Sequence, residues 1–158
     1  MLKVIELFAG IGAPRKALQN IGIEHEVLGI SEIDSSMYNS IHGKTLNFGN
    51  IVLIKELPYC DLIHFSSPCT SFSNCGKKDG LSGESGLIKE VYRLFDVYKQ
   101  KDILPKYFTF ENVPALMEKF PTVFQEFLDF FDKKGYNIYY SVLNALYYNC
   151  PQKRERLF

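Results

Sequence analysis

Four groups of residues in this chain are of types that do chemistry. The first is Cys69, in the stretch Phe65-Ser66-Ser67-Pro68-Cys69-Thr70-Ser71-Phe72-Ser73. A free cysteine often does no more than fill space in a core. Here, however, Asp61-Leu62-Ile63-His64-Phe65 reads as a short buried strand and Pro68 ends it, so the thiol stands where a strand feeds a loop. In an open parallel sheet ligands gather at that end of the strands. A thiolate presented there is a nucleophile. With a reference pKa near 8.5 it needs a positive neighbour, a helix dipole or a proton acceptor to form at neutral pH. The second group is Glu111, a carboxylate at the tip of Tyr107-Phe108-Thr109-Phe110 and a candidate acid. The third is the glycine turn Ala9-Gly10-Ile11-Gly12 together with Glu32, which ends the next strand and is placed to accept from a ribose diol. The fourth is Gln152-Lys153-Arg154-Glu155-Arg156, with three basic residues in four positions, which taken alone reads as a charged surface turn.

Positioning these groups requires alternating strands and helices. Val4-Ile5-Glu6-Leu7-Phe8 is an apolar run stopped by the glycine turn, and Pro14 suits the start of a helix reaching about Ile21. Two glycines allow close backbone approach to a ligand at a helix N-terminus. A dinucleotide fingerprint would place a third glycine at position 15; Arg15 is there, which argues against NAD or FAD. A second strand is expected over Glu26–Ser31, a helix starting at Ser35–Asn39, and a short third strand near Phe48–Ile51. After Cys69 the Gly-, Lys- and Ser-rich stretch Asn74–Ser85 reads as a lid or binding loop. A helix over Leu87–Gln100, the strand ending at Glu111, a helix from Thr122 to about Lys134 capped by Gly135, and an alternating strand Asn137–Asn144 follow. The phenylalanines 124, 127, 130 and 131 read as a core stripe, and Leu157-Phe158 as the start of a new strand. The expected fold is a parallel α/β sheet with helices on both faces, its glycine turn, Glu32, Cys69 and Glu111 all at strand C-terminal ends facing one cleft.

Composition narrows the setting. At 158 residues the chain reads as one domain, and 18 basic against 18 acidic residues leave no net field to attract a polyanion. Nucleic-acid binding would have to come from a local cluster or from another chain. The four cysteines include no CxxC pair and no zinc-spaced histidine, so neither a metal site nor a disulfide framework is indicated. No apolar run reaches about 18 residues and no signal-peptide pattern opens the chain; a cytoplasmic protein is expected.

Taken together, the motifs resemble those of the cytosine carbon-5 DNA methyltransferases over nearly the whole chain. Phe8-Ala9-Gly10-Ile11-Gly12 looks like the family's cofactor motif, Pro68-Cys69 its nucleophile motif, Glu111-Asn112-Val113 its acid motif and Gln152-Lys153-Arg154-Glu155-Arg156 its QxRxR motif. Ser85-Gly86-Leu87, Pro105-Lys106-Tyr107 and Val142-Leu143-Asn144-Ala145 fit the same order. The resemblance implies a Rossmann-like S-adenosylmethionine-dependent sheet, ending at its last strand, and methyl transfer to carbon 5 of cytosine. Cys69 would add to carbon 6, Glu111 would act at ring nitrogen 3, and Arg156, with Arg154, would contact the base oxygen or a phosphate. Phe8, Gly10, Ile11 and Gly12 would surround the methionine end of S-adenosylmethionine and Glu32 the ribose. Ile33 and Asn50 would meet the adenine, and Pro68 and Leu87 would complete that site. Ser71, Ser73, Asn112 and Gln152 would face the substrate, a cytosine flipped out of double-stranded DNA.

Several positions depart from the family pattern. Asn50 stands for a common Asp, Tyr147 and Asn149 for an Asp and a Gly or Asp, Ser66-Ser67 for Gly-Phe or Gly-Pro, and Thr70 for a Gln. The resemblance covers the catalytic portion and no target-recognition region. It therefore implies an incomplete catalytic domain over 1–158, working in a bacterial or phage-infected cell and completed by a complementing subunit or by a missing C-terminal region. Two other readings stay open: a non-catalytic remnant that binds cofactor or a protein partner, and a tRNA cytosine methyltransferase.

Overall fold

The computed structural model of the chain describes residues 1–68 and 84–158. These residues form two compact units, Met1–Ser66 with Lys89–Thr109 and Ser67–Ile88 with Phe110–Phe158.

The first unit is built on strands β1 (Leu2–Leu7), β2 (His25–Ser31) and β3 (Leu62–Phe65), with β4 (Tyr107–Phe110) at the edge, in the order β2-β1-β3-β4. β1 is parallel to both neighbours; Glu6 lies opposite Ile30 on one side and His64 on the other. Near-continuous apolar runs, as expected of strands covered on both faces, explain why Val4, Ile5, Leu7, Ile63 and Phe65 are fully buried. Side chains alternate between the faces. On one face Phe65 meets Phe95 of α3 (Ile88–Gln100) and stacks on Phe108. The other face carries Glu6 and His64 and receives α1 (Ala13–Asn20) and α2 (Ser36–His42), so helices lie on both sides of the sheet as the pattern requires. At the N-terminal edge Asp61 accepts from the Lys3 N–H, the Lys106 ammonium and the Tyr59 hydroxyl. These donors, the Lys3 amide first, hold its carboxyl down at about 2.

The second unit contains α4 (Ala115–Lys119), α5 (Pro121–Asp132) and a two-stranded antiparallel sheet of β5 (Val142–Asn144) and β6 (Glu155–Leu157). Its core is the aromatic stripe of α5: Phe127 packs on Phe110 with centroids 4.6 Å apart and on Phe131 at 5.0 Å, and Phe124 is buried beside it.

Three expectations need correction. No strand forms over 48–51: the chain makes one parallel bridge, Asn47 to Ile30, then Gly49 turns left-handed (φ 77°) and Asn50 caps a 3-10 turn over Ile51–Leu53. The alternating stretch from Asn137 is a strand only from Val142, because its partner β6 is three residues long; Tyr139 is 90% exposed. The terminal strand starts earlier than expected, at Glu155, and runs antiparallel to β5, so Arg156 is a strand residue. The short helix α4 had no counterpart in the sequence reading.

Candidate active site

In the first unit the cofactor-motif residues form one turn. After β1 the backbone passes through left-handed φ values at Phe8 (55°), Gly10 (52°) and Gly12 (74°). Glycine adopts that region freely, whereas at Phe8 it costs about 1–2 kcal/mol, the kind of strain found at ligand sites. Glu32, just past β2, accepts from the Gly10 N–H at 2.8 Å and from the Ile33 N–H at 2.9 Å. Its backbone is fixed in turn by Asn47, whose amide bonds both Glu32 N–H and C=O and whose oxygen also accepts from Gly49 N–H. Asn47 was not anticipated; nothing in its sequence neighbourhood singles it out.

Next to this carboxylate Ile33 is 82% exposed, an apolar surface open to a flat ligand. The side-chain oxygen of Asn50 accepts from Val52 N–H, leaving its second lone pair and its amide hydrogens. The Ser66 hydroxyl donates to the Phe8 carbonyl at 3.4 Å, tying the end of β3 to the turn.

Beneath the turn lies a group the sequence reading also missed. Glu6 is completely buried; one carboxylate oxygen accepts from Arg15 N–H at 2.8 Å and the other from the Tyr38 hydroxyl at 2.6 Å. Burial raises its pKa, opposed by these two hydrogen bonds. Burial, then the bond to Glu6, pushes the Tyr38 phenol up. A carboxylate inside the otherwise apolar run Val4–Phe8 was the available signal.

In the second unit Glu111 follows β4 directly, as expected, and its carboxylate accepts from Arg156 Nε at 2.8 Å with both side chains about three-quarters buried. The Arg156 Nη1 donates to the Glu155 carbonyl at 2.7 Å, orienting the guanidinium. Asn112 explains how these two segments meet. Its N–H donates to the Leu157 carbonyl and its C=O accepts from Leu157 N–H, both at 2.9 Å, so the acid segment is zipped to β6. Its side chain is buried, accepts from Val113 N–H at 2.9 Å and donates to the Ser67 carbonyl at 3.4 Å. One asparagine thus connects the approach to Pro68, the acid and the arginine strand. Arg154 and Gln152 are exposed, and the Arg154 carbonyl accepts from Ala145 N–H. Cys69, Ser71 and Ser73, with the loop through 83, lie outside the described residues. Leu87 ends a 3-10 turn over Glu84–Leu87.

Among the other cysteines, Cys60 is buried and its thiol is pushed up to about 12 by that burial, so it is no nucleophile at neutral pH. Among the described residues no helix is long and apolar enough to cross a membrane.

Residues 2–158 match the family of C-5 cytosine-specific DNA methylases. The chain belongs to that family. The family's methyl donor is S-adenosylmethionine. The orphan methyltransferase M.Rho11sI of Bacillus phage rho11s is 40% identical over 166 residues, covering 99% of this chain and 32% of the relative. The type II methyltransferase M2.ScrFI of Lactococcus lactis subsp. cremoris is 31% identical over 221 residues, covering 100% of this chain and 60% of the relative. The fold is also that of a Dnmt2 methyltransferase from S. pombe, with a TM-score of 0.79 at 24% identity over 99% of this chain and 49% of that one. The chain therefore spans between about a third and three-fifths of the length of these proteins.

Proposed function

We propose that this chain supplies the chemistry of a DNA cytosine carbon-5 methyltransferase, with S-adenosylmethionine as donor and a cytosine flipped from double-stranded DNA as acceptor. The observation that carries the reading is the Glu111–Arg156 pair, an acid and a base-contacting cation held together at 2.8 Å in the two motifs where this reaction needs them. In this reading the Cys69 thiolate forms a bond to carbon 6 while Glu111 donates to ring nitrogen 3, and the ring becomes an enamine. Carbon 5 then attacks the sulfonium methyl; the S–CH3 bond breaks and S-adenosylhomocysteine leaves. A base takes the proton from carbon 5, the bond from carbon 6 to sulfur breaks to release the thiolate, and the proton on nitrogen 3 returns to the Glu111 carboxylate, which restores the aromatic ring.

The donor's methionine end is assigned to Phe8, Gly10, Ile11 and Gly12, its ribose to Glu32, and its adenine to Ile33 and Asn50, with Pro68 and Leu87 completing the set. Arg156 is assigned to the base oxygen, and Arg154, Gln152, Ser71 and Ser73 to DNA. Asn112, buried and bonded on all sides, is better suited to holding Glu111 and Ser67 than to touching substrate. Residues 1–158 are assigned to catalysis, and target recognition to sequence outside them or to a complementing subunit. The phage and bacterial relatives support a role in the cytoplasm of a bacterial or phage-infected cell.

The test mixes the chain with one carrying a target-recognition region and follows labelled methyl groups into DNA and tRNA. Incorporation into DNA cytosine that Cys69→Ser abolishes is the expected result. Full activity of Cys69→Ser, or incorporation into tRNA alone, sinks the reading.

A further inference from the structure

The turn after β1 is left-handed at three of five consecutive residues, one of them a phenylalanine. Such a path persists only where its surroundings fix it. Helix α1 offers little help. Its N-cap is Gly12, with no side chain to bond the first helical N–H groups.

The fixing groups come from α2 instead. Glu6 caps α1 from below through Arg15 N–H, and its other oxygen is held by the Tyr38 hydroxyl. The Arg15 guanidinium lies over the Tyr38 ring at 6.0 Å and donates to Thr45, closing the loop of contacts. One turn further along α2, His42 Nε2 is 3.0 Å from the Ile11 carbonyl. A carbonyl only accepts, so Nε2 carries the proton in this contact. The His42 and Tyr38 rings pack at 4.8 Å. Together they fill the space beneath Gly12 so completely that a Cβ there would lie 2.4 Å from His42 and 2.7 Å from Tyr38. The glycine at position 12 is therefore required by these two side chains as well as by its φ of 74°.

We propose that Tyr38 and His42 are positioning residues for the donor: they clamp the Phe8–Gly12 turn from beneath and so set the site for the methionine end of S-adenosylmethionine. This rests on the assignment of that turn to the donor. Neither side chain needs to touch the ligand. Their effect is transmitted through the Ile11 carbonyl and through Glu6.

Calorimetry on the full chain with S-adenosylmethionine, and separately with adenosine, tests the clamp. Adenosine lacks the methionine part and reports on the Glu32 and Ile33 side alone. His42→Ala is expected to weaken S-adenosylmethionine about tenfold, the loss of one well-made hydrogen bond and its packing, and adenosine less than about twofold. His42→Gln, which keeps a donor, recovers most of that loss, and Tyr38→Phe reproduces it in part. Amide exchange at Gly10 and Gly12 accelerates in His42→Ala while Val4 and Ile5 stay protected. Equal losses for both ligands, or no loss, overturn the clamp. A wild-type chain that binds neither ligand overturns the donor assignment, and the clamp with it.

Discussion

Glu111 and Arg156 are 45 residues apart in sequence, yet Arg156 Nε lies 2.8 Å from the Glu111 carboxylate. The contact follows from one backbone exchange, Asn112 with Leu157, which places the two neighbouring side chains side by side. The arginine thereby holds the acid in one orientation, and its remaining guanidinium N–H groups stay available to a base oxygen.

This arrangement separates catalysis from stability. In the complemented enzyme Glu111→Gln is expected to lower the single-turnover rate at least about 100-fold, the usual scale for removing a general acid. Arg156→Ala should also lose rate, and Arg156→Lys should recover little, because an ammonium cannot bond the carboxylate and the base with a fixed fork. With each side chain still about a quarter exposed, the pair contributes no more than about 1 kcal/mol to folding, so urea midpoints should scarcely move. A large fall in stability with unchanged rate would contradict the assignment.

Asn112 should behave in the opposite way. It is 2% exposed, and its side chain satisfies both Val113 N–H and the Ser67 carbonyl. Asn112→Ala leaves buried polar groups without partners, at a cost of about 1–3 kcal/mol in urea unfolding. Asn112→Asp keeps the acceptor but cannot donate to Ser67, and should fall between the two. Wild-type stability in Asn112→Ala would show that this link is dispensable.

Asn149 settles a question raised by the sequence, where it replaces a residue that is commonly Gly or Asp. Its φ is 60°, the left-handed conformation that Asn tolerates better than other side chains, and it closes the 3-10 turn that follows β5. Asn149→Gly should be neutral or slightly stabilising and Asn149→Ala should cost about 1 kcal/mol, read from thermal or urea midpoints. Equal stability of the two variants would remove backbone conformation as the reason for the residue.

How much of this was legible follows from range. Glu32 and Glu111 were placed correctly at strand ends because short apolar runs closed by Gly, Pro or a charge are local signals. Gly10 and Gly12 were read from the same kind of punctuation. The groups that hold these residues were not, since Asn47, Tyr38 and His42 act across long stretches of sequence and look like ordinary surface or helix residues. Glu6 was the exception that could have been found, a carboxylate written into the middle of a buried strand. The stretches at 48–51 and 137–141 failed for a related reason: alternation and apolar content suggest a strand, but a strand needs a partner of matching length, and that partner lies elsewhere in the chain.

His64 offers a final test through pH. It is 8% exposed on β3, opposite Glu6 in register, and its Nδ1 shares a hydrogen bond with Thr109 Oγ1 at 2.9 Å. Burial pulls its pKa from 6.5 down to about 4. The folded protein therefore keeps the ring neutral while the unfolded chain begins to bind a proton near 6.5. Stability from this residue is fully present above 6.5 and falls as pH drops from there to about 4, with a slope approaching about 1.4 kcal/mol per pH unit. His64→Asn, which can still bond Thr109, should flatten that part of the profile while leaving the steeper losses below pH 4, where Asp61 and other carboxylates protonate. Urea unfolding of both proteins between pH 4 and 8 measures the difference. Parallel profiles would mean that His64 binds its proton equally well in the folded and unfolded chain, and that burial does not keep it neutral.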